Sequence, residues 1–266
     1  MMMPSLTFYS RPMTKSLHFM WFQGLSQAPE MIRDTPFAWR DLNPGYDIYV
    51  WDAGSLGRLV AERYPSLTRF WSDLGNGTHG IIRQCDFGRL LILHAYGGWY
   101  FDLDCVPCLP LSTLLDDGVR HHLTPFSYSE NPELRTVLDP GTPVSVDFAS
   151  YEMILTREHT APAVMGGFSV CNGCLYAAKE SPFLWKMILT MIPFHRSKVL
   201  SFAGPHGVTR FLRTNLEEAR GRVLVLPPYY FLWQHYDMGR VWERTVCRHL
   251  NRMDWADHTK EQPWDI

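Results

Sequence analysis

An α/β fold is what this chain of 266 residues predicts, and three observations carry that reading. Segments with strand character alternate with segments of helical periodicity from Leu17 onward. A long helical run breaks at Gly97-Gly98 and passes straight into an aromatic strand, Trp99-Tyr100-Phe101, that ends in two acids. No linker divides the chain, so one domain over residues 1–266 is expected rather than two small ones, with residues 1–15 a flexible start.

The elements follow in order. Residues 17–22 (LHFMWF) are apolar enough for a first buried strand. Residues 46–51 (YDIYVW) alternate like a second, and Asp52 then precedes a helix over 56–64. From Gly80 the run GIIRQCDFGRLLILHAY sets Ile82, Cys85, Leu90, Leu93 and Tyr96 on an apolar stripe at helical spacing. Asp86 and Arg89 are three residues apart on that helix and are therefore surface neighbours. Glycine accepts positive φ without steric cost, so Gly97-Gly98 can reverse the chain tightly. The aromatic run that follows has high β propensity, and the strand is expected to reach Asp104 before Pro107 and Pro110 end it.

Residues 116–143, rich in Pro, Asp, Ser and His, read as an irregular segment. Further strands are expected over 144–155 and 168–175, helices over 182–192 and 207–220, and a short β-branched strand over 223–226. No internal repeat is present.

The chemistry concentrates at residues 85–105, CDFGRLLILHAYGGWYFDLDC. On a strand, Asp102 and Asp104 point to one face and Leu103 to the other. Two carboxylates on one face suit a hard divalent cation that keeps open positions for phosphate oxygens. The preceding helix can lay Asp86 and Arg89 beside that end of the strand. Each part alone is ordinary. A D-x-D occurs on many solvated strand ends, and an i,i+3 Asp/Arg pair is commonly a surface ion pair worth a few tenths of a kcal/mol. Joined by a Gly-Gly turn, they are far more specific.

Composition sets the outer bounds. Hydrophobic residues at 46% and charged residues at 20% describe an ordinary globular protein. A net charge of −2 leaves no basic footprint, which argues against a nucleic-acid partner. Aromatics reach 14%, with ten tryptophans, and suit both a core and a carbohydrate-facing surface. No apolar run has the length of a transmembrane segment, and the N-terminus lacks the apolar core of a secretory signal. Cys105-x-x-Cys108 and Cys171-x-x-Cys174 have the spacing of zinc ligands. They also read as packed free thiols, or as disulfides in an oxidising compartment.

These motifs resemble the D-x-D sugar-nucleotide glycosyltransferases. That group includes the yeast initiating α-1,6-mannosyltransferase, the Golgi α-1,4-galactosyl and α-1,4-N-acetylglucosaminyl transferases and, more distantly, the clostridial glucosylating toxins. Their pattern is a strand ending in I-W-x-G, then S-D-x-x-R, then Y-G-G-x-Y-x-D-x-D. Here the corresponding residues are LHFMWFQG from Leu17, CDFGR from Cys85 and YGGWYFDLD from Tyr96. Asn172 in GGFSVCNGCLYAAKESPF resembles the polar position of an N-x-x-x-x-A block, and Ala203-Gly204-Pro205 with Val208-Thr209 resembles T-G-P-x-x-x-T. HLNRMDW from His249 resembles a terminal H-x-x-x-x-S-W element, with Asp254 where the serine stands.

The resemblance implies a GT-A fold: a single α/β domain whose mostly parallel central sheet is flanked by helices, with the nucleotide across the carboxyl ends of the strands. It implies an enzyme that moves a hexose from a UDP-hexose or GDP-mannose to a glycan, lipid or protein acceptor, with retention of configuration and with Mn²⁺ or Mg²⁺. Asp104 is then the direct metal ligand and Asp102 bridges to the metal or the ribose. His249 is a third ligand, with Asp254 competing for that role and a structural histidine as the other reading. Asp86 accepts hydrogen bonds from sugar hydroxyls and Arg89 holds a sugar hydroxyl or phosphate oxygen. Trp21 stacks on the base, or is a core residue at a strand end, and Asn172 faces the acceptor or the sugar. Golgi members of the group carry a membrane anchor, so a cytoplasmic location is expected, or the Golgi lumen if an anchor is missing. The rival readings are a sugar-nucleotide hydrolase, a non-catalytic binding domain, and a zinc-stabilised interaction module built on the two C-x-x-C pairs.

Overall fold

The computed structural model describes residues 12–77, 79–115, 127–128, 134–135, 147–158, 169–226, 230–231 and 245–250. Six strands form the central sheet, in the order β2-β1-β3-β8-β7-β9. They are β1 (Ser16–Met20), β2 (Asp47–Trp51), β3 (Gly98–Phe101), β7 (Met153–Arg157), β8 (Val170–Ala177) and β9 (Val223–Leu226). β1 pairs parallel with both β2 and β3, and β7 pairs parallel with β9. β8 runs antiparallel between β3 and β7, so the other five strands share one direction. Two small sheets accompany it, β4 (Cys105–Pro107) with β10 (Cys247–His249), and β5 (Ser127–Tyr128) with β6 (Leu134–Arg135).

Period-two alternation splits the sheet residues between two cores. Leu17, Phe19, Trp99, Phe101, Ile154, Leu224 and Leu226 face a layer that includes Trp39 of α2 (Thr35–Leu42) and Phe231. Met20, Tyr100, Met153, Leu155, Val223 and Val225 face the helices α3 (Ala53–Arg63), α4 (Thr68–Leu74), α5 (Gly80–Tyr96), α7 (Pro182–Met191) and α9 (Pro205–Thr214). The remaining helices, α1 (Glu30–Arg33), α6 (Ser112–Leu115), α8 (Val199–Phe202) and α10 (Leu216–Ala219), are single turns. Among the described residues no helix is long and apolar enough to cross a membrane.

α5 is the element that differs most in character from its expectation. In place of one apolar stripe, it is buried continuously from Asp86 to Leu93, because helices pack on its outer sides and the sheet lies beneath it. Tyr96, expected in the stripe, is 40% exposed. Gly97 (φ 70) and Gly98 (φ 101) then turn the chain. A Cβ on Gly98 would stand 2.5 Å from the Ser16 carbonyl, so glycine is what lets β3 lie against β1.

Other boundaries moved for identifiable reasons. Trp21 and Phe22 lie beyond β1. Residues 147–151, expected as strand, hold a 3₁₀ turn (Phe148–Ser150) capped by the Asp147 carboxylate on the Ala149 N–H. The helix expected over 207–220 stops at Thr214, where Asn215 leaves helical geometry and donates from Nδ2 to the Phe211 carbonyl. α1, α2, α4, β4 and β10 were not anticipated. Most of 116–143 lies outside the described residues, as does Asp254.

His18 illustrates what the core demands of a polar group. It is fully buried, with Nε2 2.9 Å from the Gly97 carbonyl and Nδ1 accepting from Trp51 Nε1 at 3.2 Å. Both contacts use the neutral ring. Burial lowers its pKa from 6.5 to about 4, against the opposing bond to Gly97. Between those values the unfolded chain binds a proton that the folded chain does not, so stability is present above the upper value and is lost as pH falls. The window amounts to about 3 kcal/mol at most. Urea unfolding of wild type and His18→Gln across it is expected to show a flatter pH dependence in the variant. An identical slope would remove His18 as its source.

Candidate active site

The D-x-D does not lie on a strand. β3 ends at Phe101, the Asp102 N–H donates to the Gly173 carbonyl (2.8 Å), and the Cys105 N–H returns to the Asp102 carbonyl (2.9 Å) to close a turn over Asp102–Leu103–Asp104–Cys105. The partner segment is equally irregular. Against β7 the register of β8 jumps from Leu155↔Leu175 to Thr156↔Cys171, so residues 172–174 bulge out of that ladder. The bulge re-aims Asn172, Gly173 and Cys174 toward the turn.

Arg89 joins the helix to the turn. Its Nη2 lies 3.1 Å from Asp86 Oδ1 and its Nη1 lies 3.1 Å from Asp102 Oδ1. Nη1 also donates to the Asn172 carbonyl at 2.6 Å. The guanidinium sits 4.8 Å above the Tyr100 ring, and the Tyr100 hydroxyl donates to Asp102 Oδ1 at 3.0 Å. Asn172 closes the circuit by donating from Nδ2 to Asp86 Oδ1 at 2.8 Å. Burial pushes Asp86 up to about 6; Arg89 opposes this, the Asp102 charge adds to it, and the Asn172 bond opposes it. Arg89 thus serves first as a buried cation between two carboxylates, and its buried Nε–H finds no hydrogen-bond acceptor among the described residues.

Asp104 and His249 form the second half. β10 pairs with β4 so that His249 lies opposite Cys105, and His249 Nε2 sits 3.2 Å from Asp104 Oδ1. The two halves meet over Gly173. A Cβ there would lie 2.6 Å from Asp102 Oδ2 and 3.3 Å from His249 Cε1, so the missing side chain is the space both residues occupy. Two carboxylates and an imidazole fit Mn²⁺ or Mg²⁺ by donor type. Burial disfavours a proton on His249, but Cys105, the bond to Asp104 and Cys171 outweigh it and raise the pKa well above the ordinary value. A cation at His249 must therefore displace a proton.

Six of the seven residues singled out in the sequence come together: Asp86, Arg89, Asp102, Asp104, Asn172 and His249. Trp21 stands apart from their hydrogen-bond network. It is half-buried one residue beyond β1, with its N–H on the Trp51 carbonyl, at the same carboxyl end of the sheet as the D-x-D turn. Three contributors went unassigned. Tyr100 was visible as the residue two before Asp102, on the same face. Gly173 carried no local signal. Nor did Glu158, just past β7, whose carboxyl is pushed up to about 8 by burial, with Cys171 adding and the Ser169 bond and His249 opposing.

The site lies where open α/β sheets bind ligands, at the carboxyl ends of parallel strands. Residues 29–120 match the glycosyltransferase sugar-binding region containing the DXD motif. No curated protein matches the sequence. Among solved structures, the PaToxG glycosyltransferase aligns at 16% identity over 77% of this chain and 70% of its own, with a TM-score of 0.51. The UDP-bound glycosyltransferase domain of the YGT toxin aligns at 10% identity over 80% and 79%, with a TM-score of 0.50. The fold is the GT-A fold. With the DXD region on it, the chain is an enzyme of the glycosyltransferase class.

Proposed function

We propose that this chain is a divalent-cation-dependent hexosyltransferase that uses a UDP-hexose and retains anomeric configuration, with a glycan, lipid or protein as acceptor. The observation that carries it is the meeting of Asp102 and His249 over Gly173, with His249 in turn on Asp104 at 3.2 Å, directly beside the Asp86–Arg89–Asn172 circuit. Asp102, Asp104 and His249 would hold the cation, Mn²⁺ or Mg²⁺, which when bound neutralises charge on the departing diphosphate. Asp86, fixed by Arg89 and Asn172, would accept from sugar hydroxyls, and Arg89 would hold a sugar hydroxyl or phosphate oxygen. Trp21 offers an aromatic face for the base at the neighbouring strand end. UDP is preferred to GDP because the YGT toxin domain of the same fold binds it. Retention rests on the family resemblance; the departing phosphate can take the acceptor proton, so no dedicated base is required. A cytoplasmic location suits the six free thiols, and fractionation of host cells checks it.

The test is a thermal-shift panel of UDP-hexoses and GDP-mannose, with and without Mn²⁺, on wild type and Asp104→Ala. A ligand at 100 times its Kd stabilises by about 2.7 kcal/mol. A Mn²⁺-dependent shift with one UDP-hexose, absent in Asp104→Ala, is the expected result. A shift with GDP-mannose alone would overturn the donor assignment. No shift with any donor would overturn the whole reading.

A further inference from the structure

The sequence offered two C-x-x-C pairs, but the fold assembles a different set. Cys108 is exposed, while Cys105, Cys174 and Cys247 are fully buried and bring their sulfurs within 4.8 Å of one another. Cys105 Sγ and Cys174 Sγ are 3.3 Å apart. The three come from the end of the D-x-D turn, the bulge of β8 and the first residue of β10, so no local spacing explains their meeting. Besides that contact between sulfurs, the thiols meet carbonyls: Cys105 that of Gly173 at 3.7 Å, Cys174 that of Phe231 at 4.0 Å and Cys247 that of Phe231 at 3.4 Å.

We infer that Cys105, Cys174 and Cys247 form a buried thiolate site for a structural zinc ion, separate from the donor-site cation. Zinc–sulfur bonds of 2.3 Å put tetrahedral ligands about 3.8 Å apart. The 3.3 Å between Cys105 and Cys174 and the 4.8 Å that bounds the set bracket that spacing. Soft thiolates select Zn²⁺ over Mn²⁺ or Mg²⁺, whose oxygen donors lie next door in Asp102 and Asp104. Asp104 and His249 serve the donor-site cation, and the buried thiol of Cys171, which interacts with Cys174, is the remaining donor for the fourth position. Binding releases the thiol protons to solvent.

The site has a mechanical consequence. β10 is three residues long and its described partner is β4 alone. A zinc ion would tie Cys247 at its start to the D-x-D turn through Cys105 and to the central sheet through Cys174. That staple fixes His249, two residues on, against Asp104. None of this depends on the sugar-transfer reading.

The experiment is elemental analysis of the full chain purified without chelator, with cobalt substitution on wild type. Roughly one zinc per chain is expected, retained through EDTA dialysis and released on unfolding. The cobalt form is expected to show an intense thiolate-to-cobalt charge-transfer band in the near ultraviolet. Cys174→Ser and Cys247→Ser should drop zinc to background, whereas Cys108→Ser and Asp102→Asn should keep it. Folded wild type that holds no zinc, takes none from a zinc buffer and gives no thiolate–cobalt band would overturn the inference. So would zinc that survives Cys247→Ser or disappears with Asp102→Asn, the latter assigning it to the donor site. The wild-type spectrum decides the matter even if a serine variant fails to fold.

Discussion

Arg89→Met is expected to lower folding stability by roughly 3–5 kcal/mol, the cost of leaving buried charge without its partner. The methionine fills most of the volume, so the loss isolates the charge. Asp86 and Arg89 each have side chains 8% exposed, and Asp102 is 28% exposed, so solvent screens the cluster weakly. Without the guanidinium, Asp86 and Asp102 face one another across a site with no cation. Asp86 already sits near 6 because burial outweighs Arg89. Removing Arg89 takes away the largest influence holding it down, and its folded pKa rises further above the unfolded value. A group raised in this way binds more protons folded than unfolded, so its contribution is present at low pH and lost as pH rises. The deficit of Arg89→Met should therefore be smaller at pH 5 than at pH 8. Arg89→Met with Asp86→Asn should recover part of it, since the asparagine oxygen can still accept from Asn172. Guanidinium unfolding at both pH values reads all three variants. A loss near 1 kcal/mol with no pH dependence would mean that Arg89 is solvated and does not hold the acids.

The helix that carries Asp86 and Arg89 could be read because its determinants are local: periodicity inside it, two glycines after it, and an aromatic strand beyond. The same logic failed at Asp102. Whether β3 runs on or turns is decided by the Gly173 carbonyl, which arrives from a strand some seventy residues away in the chain and exists there only because β8 bulges. His249 could not be weighed against surface histidines until β10 paired with β4 and placed it opposite Cys105. The cysteines make the point from the other side. C-x-x-C spacing directs attention to pairs three residues apart, but alternation and bulging send Cys108 to solvent and bring Cys247 in beside Cys105 and Cys174. Residue types that hold charge or metal were therefore legible, and their grouping was not, because long-range register sets the grouping.

Gly173→Ala puts that register to the test with a single methyl group. The backbone at Gly173 is not left-handed, so alanine is conformationally acceptable there and the effect is steric. Its Cβ would stand 2.6 Å from Asp102 Oδ2, 3.2 Å from Asp102 Cγ and 3.3 Å from His249 Cε1. His249 is held in the β10–β4 ladder, and Asp102 is held by Arg89 at 3.1 Å and Tyr100 at 3.0 Å. Asp102 is the more exposed of the two, so it is the side chain that yields, and it yields away from the position where it would share a cation with Asp104. A displacement of about 1 Å at such a group costs on the order of 100-fold in rate. The melting temperature should fall by only a few degrees, since a destabilisation of about 1 kcal/mol moves a chain of this size by roughly 2–4 °C. Loss of the Mn²⁺-dependent donor shift with a nearly intact fold is thus the expected signature. Residues in contact couple in double-mutant cycles, so adding Gly173→Ala to Asp102→Ala should cost little more than Asp102→Ala alone. Full additivity between the two changes would mean that Gly173 acts elsewhere, and would remove the space above it from the proposed cation site.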